Sequence, residues 1–185
     1  PLPAPLDETV VLDAIDPAKD VDGCHPVNLG RLLAATPDIV PCTPAGVLAL
    51  LRHYEIATAG RTAAIIGRGM LVGRPLSMLL SLKGIDATVT LLHTRSPDLA
   101  ETVRRADIVV SAAGVAGLVD ETMVKPGAAV IGVGISADAD GQTVSDIADA
   151  VADVAGFVTP RHGSVGALTR AMLLKNLVKI AARAA

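Results

Sequence analysis

Ile65-Ile66-Gly67-Arg68-Gly69-Met70-Leu71-Val72-Gly73-Arg74-Pro75 joins an apolar run to an amphipathic one through three glycines and two arginines. The run leading into it, TAAIIG from Thr62 to Gly67, reads as a β-strand. Leu76, Leu79 and Leu80 follow at i, i+3, i+4, the spacing of a helix laid on a sheet. Strand, glycine loop and helix in that order make the turn at which a doubly wound sheet cradles phosphate. In the spacing G-x-G-x-x-x-G, Gly67 permits a tight turn, Gly69 lets backbone approach a phosphate, and Gly73 admits close packing of helix against strand. Free N–H groups at the start of the helix complete an anion site. The competing reading is a turn whose glycines serve steric purposes alone.

Outward from the loop, ATVTLL (Ala87 to Leu92) predicts a second strand. A second helix is predicted over Pro97 to Ala106, with Ser96 as N-cap and Pro97 at the first position. DIVVSAAG (Asp107 to Gly114) and AAVIGVGI (Ala128 to Ile135) predict the third and fourth strands. All four are continuously apolar, as strands covered on both faces should be. Their alternation with helices predicts parallel pairing through right-handed crossovers, an α/β, Rossmann-like doubly wound sheet. Three helices are predicted ahead of it, over Glu8 to Ile15, Val27 to Ala34 and Pro44 to Tyr54, the last capped by Thr43. Behind it, Val165 to Ala182 predicts a long helix with Lys175, Lys179 and Arg183 on one stripe. The rest of that helix is so apolar that it needs a second partner surface, in a domain or subunit outside the sheet.

Composition narrows the function classes. Hydrophobic residues make up 51% and charged ones 19%, which fits a packed globular chain. A net charge of -3 argues against nucleic acid as partner, and with Tyr54 and Phe157 as the only aromatics there is no stacking platform for single strands. No run is long enough to span a membrane, and no signal peptide is visible. Cys24 and Cys42 form no C-x-x-C pair and no metal spacing with the four histidines, so no metal site is expected and they read as reduced thiols of a cytoplasmic protein. The chain opens on Pro1-Leu2-Pro3 without an initiator Met, which suggests a fragment or processed product.

The end of the second strand speaks to the choice of dinucleotide. NAD enzymes usually place Asp or Glu there for the ribose hydroxyls. This chain has His93-Thr94-Arg95-Ser96, and a hydroxyl beside a guanidinium suits a 2′-phosphate. Arg68 in the glycine loop can close on the same group, which favours NADP. The alternative is an Arg95 that is merely solvated.

Five motifs in register carry a resemblance. They are Lys19-Asp20-Val21-Asp22-Gly23, Pro41-Cys42-Thr43-Pro44-Ala45-Gly46, Gly67-Arg68 with Val72-Gly73-Arg74-Pro75, Lys125-Pro126-Gly127-Ala128, and Thr159-Pro160 with Val165-Gly166. With them the chain resembles, over essentially its whole length, the bifunctional methylenetetrahydrofolate dehydrogenase/methenyltetrahydrofolate cyclohydrolase family. The resemblance implies NADP-dependent oxidation of 5,10-methylenetetrahydrofolate to the methenyl cation and hydrolysis of that cation to 10-formyltetrahydrofolate. It implies a homodimer through the sheet's edge. Residues 43–160 would form the NADP-binding domain, with 1–42 and 161–185 belonging to a second, incomplete α/β domain on the folate side. Asp22 would hold the pterin as catalytic and substrate-binding residue, a carboxylate being able to accept two N–H bonds from the aminopyrimidine edge. Its competing reading is an Asx-turn with Gly23. His162, Gly163, Ser164, Val165 and Gly166 would face folate. Thr43, Gly67, Arg68, Gly69, Val72, Gly73, Thr94, Arg95, Ser96, Gly114, Ile135 and Thr169 would contact the cofactor.

The sequence also departs from the family. Its polarising Lys stands in a Y-x-x-x-K helix, whereas Tyr54 is followed four residues on by Thr58, and no glutamine precedes Pro1. The resemblance therefore implies about 90 to 100 further residues ahead of Pro1 in the complete enzyme. Gly69 stands where serine is common, Gly132 where Asp is usual, Arg161-His162-Gly163-Ser164 where Val-Pro-Gly-Gly is expected, and Ala167 where proline is. The altered loop bears on folate affinity more than on the fold. His162 either titrates near neutrality or is an idle surface group; His25, His53 and His93 are assigned to packing or solvent. Two other readings remain open, a non-catalytic NADP-binding paralogue or regulatory subunit, and an unrelated dehydrogenase on the same sheet.

Overall fold

The computed structural model describes residues 5–137, 142–160 and 165–184. The four predicted strands appear as β1 (Thr62–Ile66), β2 (Thr88–Leu92), β3 (Ile108–Ser111) and β4 (Ala129–Gly132). A hairpin of β5 (Ile135–Ala137) and β6 (Thr143–Ser145) follows, and then β7 (Phe157–Val158). The sheet is parallel throughout, in the order β2-β1-β3-β4-β7. The order in which strands are added therefore reverses between β1 and β3, the switch point where open α/β sheets bind their ligands.

Alternate residues of the central strands enter two cores. Ile65, Val110 and Ile131 pack with Val47, Leu51, Leu76 and Leu80 on one face; Ala64, Ile66, Val109 and Val130 pack with Val103, Met123 and Val151 on the other. With apolar layers on both sides the strands carry no polar alternation. Ile65 and Leu80 are fully buried, and truncating either to Ala costs about 2–5 kcal/mol. β2 departs from the expectation of double coverage. It is the sheet's edge, and Thr88, Thr90 and Leu91 are exposed.

The helices are α1 (Glu8–Asp13), α2 (Pro26–Leu33), α3 (Cys42–His53), α4 (Gly73–Leu80), α5 (Leu99–Arg104) and α6 (Val165–Ala184). Two predicted caps are corrected. α3 begins at Cys42 after Pro41, so Thr43 and Pro44 lie inside its first turn and Thr43 is no cap. Ser96 does not cap α5: its Oγ accepts the N–H of His93 and its own N–H donates to the His93 carbonyl, closing a turn on itself. Pro97 thus stays outside the helix, which starts after Asp98 at φ +50. The fourth apolar run also breaks. The N–H groups of Val133 and Gly134 both donate to the carbonyl of Ser111, so the chain leaves the ladder at Gly132 and Ile135 begins the hairpin.

α6 lies along α3, where a Cβ on Gly46 would come within 3.2 Å of Leu168, so glycine sets the approach. Farther along, Asn176 donates to the carbonyls of Val21 and Val40, at 2.9 and 3.1 Å. Lys179 and Arg183 reach Asp38, at 3.0 and 2.5 Å. The predicted basic stripe is thus partly a tether to residues 20–42, while Leu174, Leu177 and Val178 remain exposed. No helix among the described residues is long and apolar enough to cross a membrane.

Candidate functional site

The glycine loop leaves β1 between two neighbouring strand ends. The N–H of Gly67 donates to Leu92 of β2 at 2.9 Å, and the N–H of Ala112, after β3, donates to Ile66 at 2.7 Å. Gly67 has φ +115, and a Cβ there would lie 2.3 Å from the Ala112 carbonyl oxygen. A Cβ on Gly73 would lie 1.8 Å from the carbonyl oxygen of Gly67. Neither position accepts a side chain without moving backbone. Gly73 packs on the loop itself, a correction to the helix–strand contact expected of it. Gly69 faces open space within 4 Å, so its lack of a side chain relieves no internal contact. Among the described residues the N–H groups of Arg68, Gly69, Met70 and Leu71 meet no backbone acceptor, and these residues are exposed. Val72 precedes α4 and makes no side-chain cap. Free N–H groups at a helix start, behind a residue that leaves room, suit a phosphate.

Register carries the end of β2 to this loop, because Ile66 pairs with Leu92. In the turn that follows, the N–H of Arg95 donates to His93 Nδ1 at 3.1 Å, which fixes the backbone while Thr94 and Arg95 stay exposed. Neither Arg68 nor Arg95 has a carboxylate partner among the described residues, and both guanidiniums stand in solvent. On the other flank a Cβ on Gly114, at φ +66, would lie 3.8 Å from the Ile135 carbonyl oxygen. Thr43 and Thr169 meet through their hydroxyls at 3.0 Å across α3 and α6. Val165 is buried at the start of α6 and Gly166 is exposed. His162, Gly163 and Ser164 lie outside the described residues.

Asp22 is exposed and its side chain holds no hydrogen bond among the described residues, while its carbonyl accepts the N–H of Cys42 at 3.2 Å. The turn chemistry belongs to Asp20, which sequence reasoning missed. Buried to 3% exposure, it accepts the N–H groups of Gly23, Cys24 and His25 and the amide of Asn28. Gly23, at φ +76, presses this loop on Val40 and Pro41, where a Cβ would sit 2.7 Å from backbone. The Asx-turn considered for Asp22 and Gly23 is not seen among the described residues, and the loop is instead closed by Asp20 over three to five residues. His25, assigned to packing or solvent, instead caps α2 through Nδ1. Cys24 and Cys42 are both buried thiols outside any disulfide, and burial pushes Cys42 up to about 11, out of reach of thiolate chemistry near neutrality.

The motif Lys125-Pro126-Gly127-Ala128 lies at the opposite, amino-terminal edge of the sheet. Lys125 Nζ binds Asp107 at 2.5 Å and, with the Thr62 N–H, holds that carboxyl down to about 2. Its part is structural. No cluster of metal-ligating residues is found among the described residues.

Residues 41–185 match the NAD(P)-binding domain of tetrahydrofolate dehydrogenase/cyclohydrolase. The whole chain superimposes on a bifunctional FolD methylenetetrahydrofolate dehydrogenase/cyclohydrolase from Campylobacter jejuni with a TM-score of 0.95 and 40% identity, covering 100% of this chain and 66% of that one. A Trypanosoma brucei FolD complexed with NADP cofactor and inhibitor gives 0.92 and 42%, with coverage of 100% and 65%. A 5,10-methylenetetrahydrofolate dehydrogenase from the silkworm Bombyx mori gives 0.93 and 40%, with coverage of 100% and 66%. The chain thus spans just under two thirds of the length of these relatives. A bare glycine loop on a sheet of this order, together with these matches, means that the chain belongs to the tetrahydrofolate dehydrogenase/cyclohydrolase family.

Proposed function

We propose that this chain binds NADP across the glycine loop and supplies the cofactor side, with part of the folate side, of an enzyme that oxidises 5,10-methylenetetrahydrofolate and hydrolyses the product to 10-formyltetrahydrofolate. The observation that carries the reading is the pair Gly67 and Gly73. Both are sterically closed to any side chain, and the unbonded N–H groups of Arg68 to Leu71 lie between them. Packing accounts for the two glycines but not for exposed N–H groups left without a backbone acceptor, and these suit a pyrophosphate. Arg68, Thr94 and Arg95, without carboxylate partners among the described residues, would hold the 2′-phosphate, and the absence of an acid in His93-Thr94-Arg95-Ser96 removes the usual grip on an unphosphorylated ribose.

When bound, NADP accepts the hydride, so the protein's part in oxidation is chiefly orientation. Asp22, held on a clamped loop with its side chain unbonded among the described residues, would take the pterin edge, and 162–166 would face the same substrate. Thr43 and Thr169 would meet the nicotinamide half, as would Gly114 and Ile135. Hydrolysis needs a polarising cation. The 185 residues contain no Y-x-x-x-K, so this step is assigned to the chain together with the segment that carries one. Residues 1–42 and 161–185 are assigned to the folate side and 43–160 to the cofactor side. A homodimer through the sheet's edge and a cytoplasmic setting belong to the same proposal.

The test is a titration of the chain with NADP+ and NAD+. NADP+ should bind roughly 10- to 100-fold more tightly, the scale of one or two charge-assisted hydrogen bonds. Arg95→Ala should bring the two together. Equal binding of both by the unaltered chain would remove the 2′-phosphate argument.

A further inference from the structure

Asp146 is 0% exposed and directly follows β6 of the hairpin, in a stretch without any motif. Its carboxylate accepts four hydrogen bonds. One comes from the Ser111 hydroxyl at 2.8 Å, and the others from the N–H groups of Ala113, Gly114 and Val115 at 2.9, 3.1 and 2.9 Å. Three successive N–H groups turned inward around a glycine at φ +66 form an anion-binding nest, and here the anion is the protein's own. The fit is tight on the other side as well. A Cβ on Gly134 would fall 2.0 Å from Asp146 Oδ2, and the N–H of Asp146 donates to the Gly134 carbonyl.

The turn so held is a wall of the dinucleotide site. Ala112 begins it, and the Ala112 carbonyl is the atom that forbids a side chain on Gly67. Gly114 at its tip faces the carbonyl of Ile135, at the start of the hairpin that Gly134 leads into. A dinucleotide whose adenosine end lies beside β2 extends across the glycine loop towards β3 and β4, where this turn stands.

We propose that Asp146 is a positioning residue for the half of the dinucleotide beyond the glycine loop, an inference that rests on the NADP reading above. By filling the nest it holds 113–115, at the tip of the turn, where Gly114 faces the Ile135 carbonyl. It also keeps three competing N–H groups from the ligand, so that the pyrophosphate meets only the amides of Arg68 to Leu71.

The experiment compares NADP+ with 2′,5′-ADP, which carries the adenosine end and lacks the other half. Asp146→Asn keeps the shape but points an N–H2 group at donors. It should weaken NADP+ by about tenfold while 2′,5′-ADP binds as before, within about twofold. Ser111→Ala removes one of the four donors and should weaken NADP+ by about two- to threefold, again selectively. A carboxylate that only stabilises the fold would move both ligands together or neither. If Asp146→Asn does not fold, Ser111→Ala decides. An unchanged ratio of the two affinities in the folded variants overturns the inference and leaves the NADP reading standing. Failure of the unaltered chain to bind either ligand overturns that reading and this inference with it.

Discussion

In the glycine loop, Gly67 and Gly73 are held so close to Ala112 and to each other that no side chain fits, and the N–H groups of Arg68 to Leu71 between them meet no backbone acceptor among the described residues. In the loop 20–25, Asp20 takes the N–H groups of Gly23, Cys24 and His25, and what reaches the surface is the carboxylate of Asp22. One loop is shaped by the absence of side chains and offers main chain. The other is shaped by a buried side chain and offers a side chain. Rigidity comes from contact at van der Waals limits in the first case and from satisfied polar groups in the second. The two loops should therefore fail differently when altered.

The largest effect is expected at Gly73. Gly73→Ala forces the Gly67 carbonyl to move, and NADP+ affinity should fall by at least about a hundredfold in an equilibrium titration, since a displaced loop misplaces every amide at once. Binding within a few-fold of the unaltered chain would mean that the loop is soft and the steric account wrong. Next comes Asp20. Asp20→Ala takes the acceptor from three buried N–H groups and leaves the Asn28 amide only the Pro17 carbonyl, and chemical denaturation should show a loss of about 2–4 kcal/mol. Asp22→Ala, at an exposed carboxylate, should stay within about 0.5 kcal/mol. Similar losses for the two would erase the division of labour between them.

A pH series sharpens the contrast further. Arg183, and then Lys179, hold Asp38 well below its ordinary value of 3.8. A group whose folded value is depressed contributes stability that is fully present above the unfolded value and is lost as pH falls through the folded one. Acidification below about pH 4 should thus loosen the tether between α6 and residues 36–40. Hydrogen exchange would show this first in 20–42 and last in the glycine loop. Arg183→Ala should remove most of that pH dependence. The smallest effect belongs to Gly69, where a side chain meets open space: Gly69→Ser should change stability by less than about 0.5 kcal/mol and leave NADP+ affinity equal or slightly raised.

Much of this architecture was legible because its signals are local. Continuous apolar runs announced β1, β3 and β4, and i, i+3, i+4 leucines announced α4. β2 carries a similar run but lies at the sheet's edge, and an apolar run does not say which strands are central. The start of the hairpin stayed hidden at the end of AAVIGVGI, where the break depends on the Ser111 carbonyl receiving the N–H groups of Val133 and Gly134. β7, two residues long, left no pattern to read. The site divides along the same line. Glycine spacing marked the loop, and Asp22 stood in a quoted motif. Asp20 stood in that motif as well, but which of two aspartates clamps a loop depends on where the chain returns its amides. Asp146 had no local signal at all, because its donors lie 31 to 35 residues away.

The most direct measurement is a 1H–15N NMR titration of the chain with NADP+. Saturable shifts should be largest for the amides of Arg68 to Gly73 and extend to Thr94 and Arg95. Shifts confined to the far edge of the sheet, around the cleft of about 500 Å³ lined by Tyr54, Arg61, Lys125 and Phe157, would contradict the account.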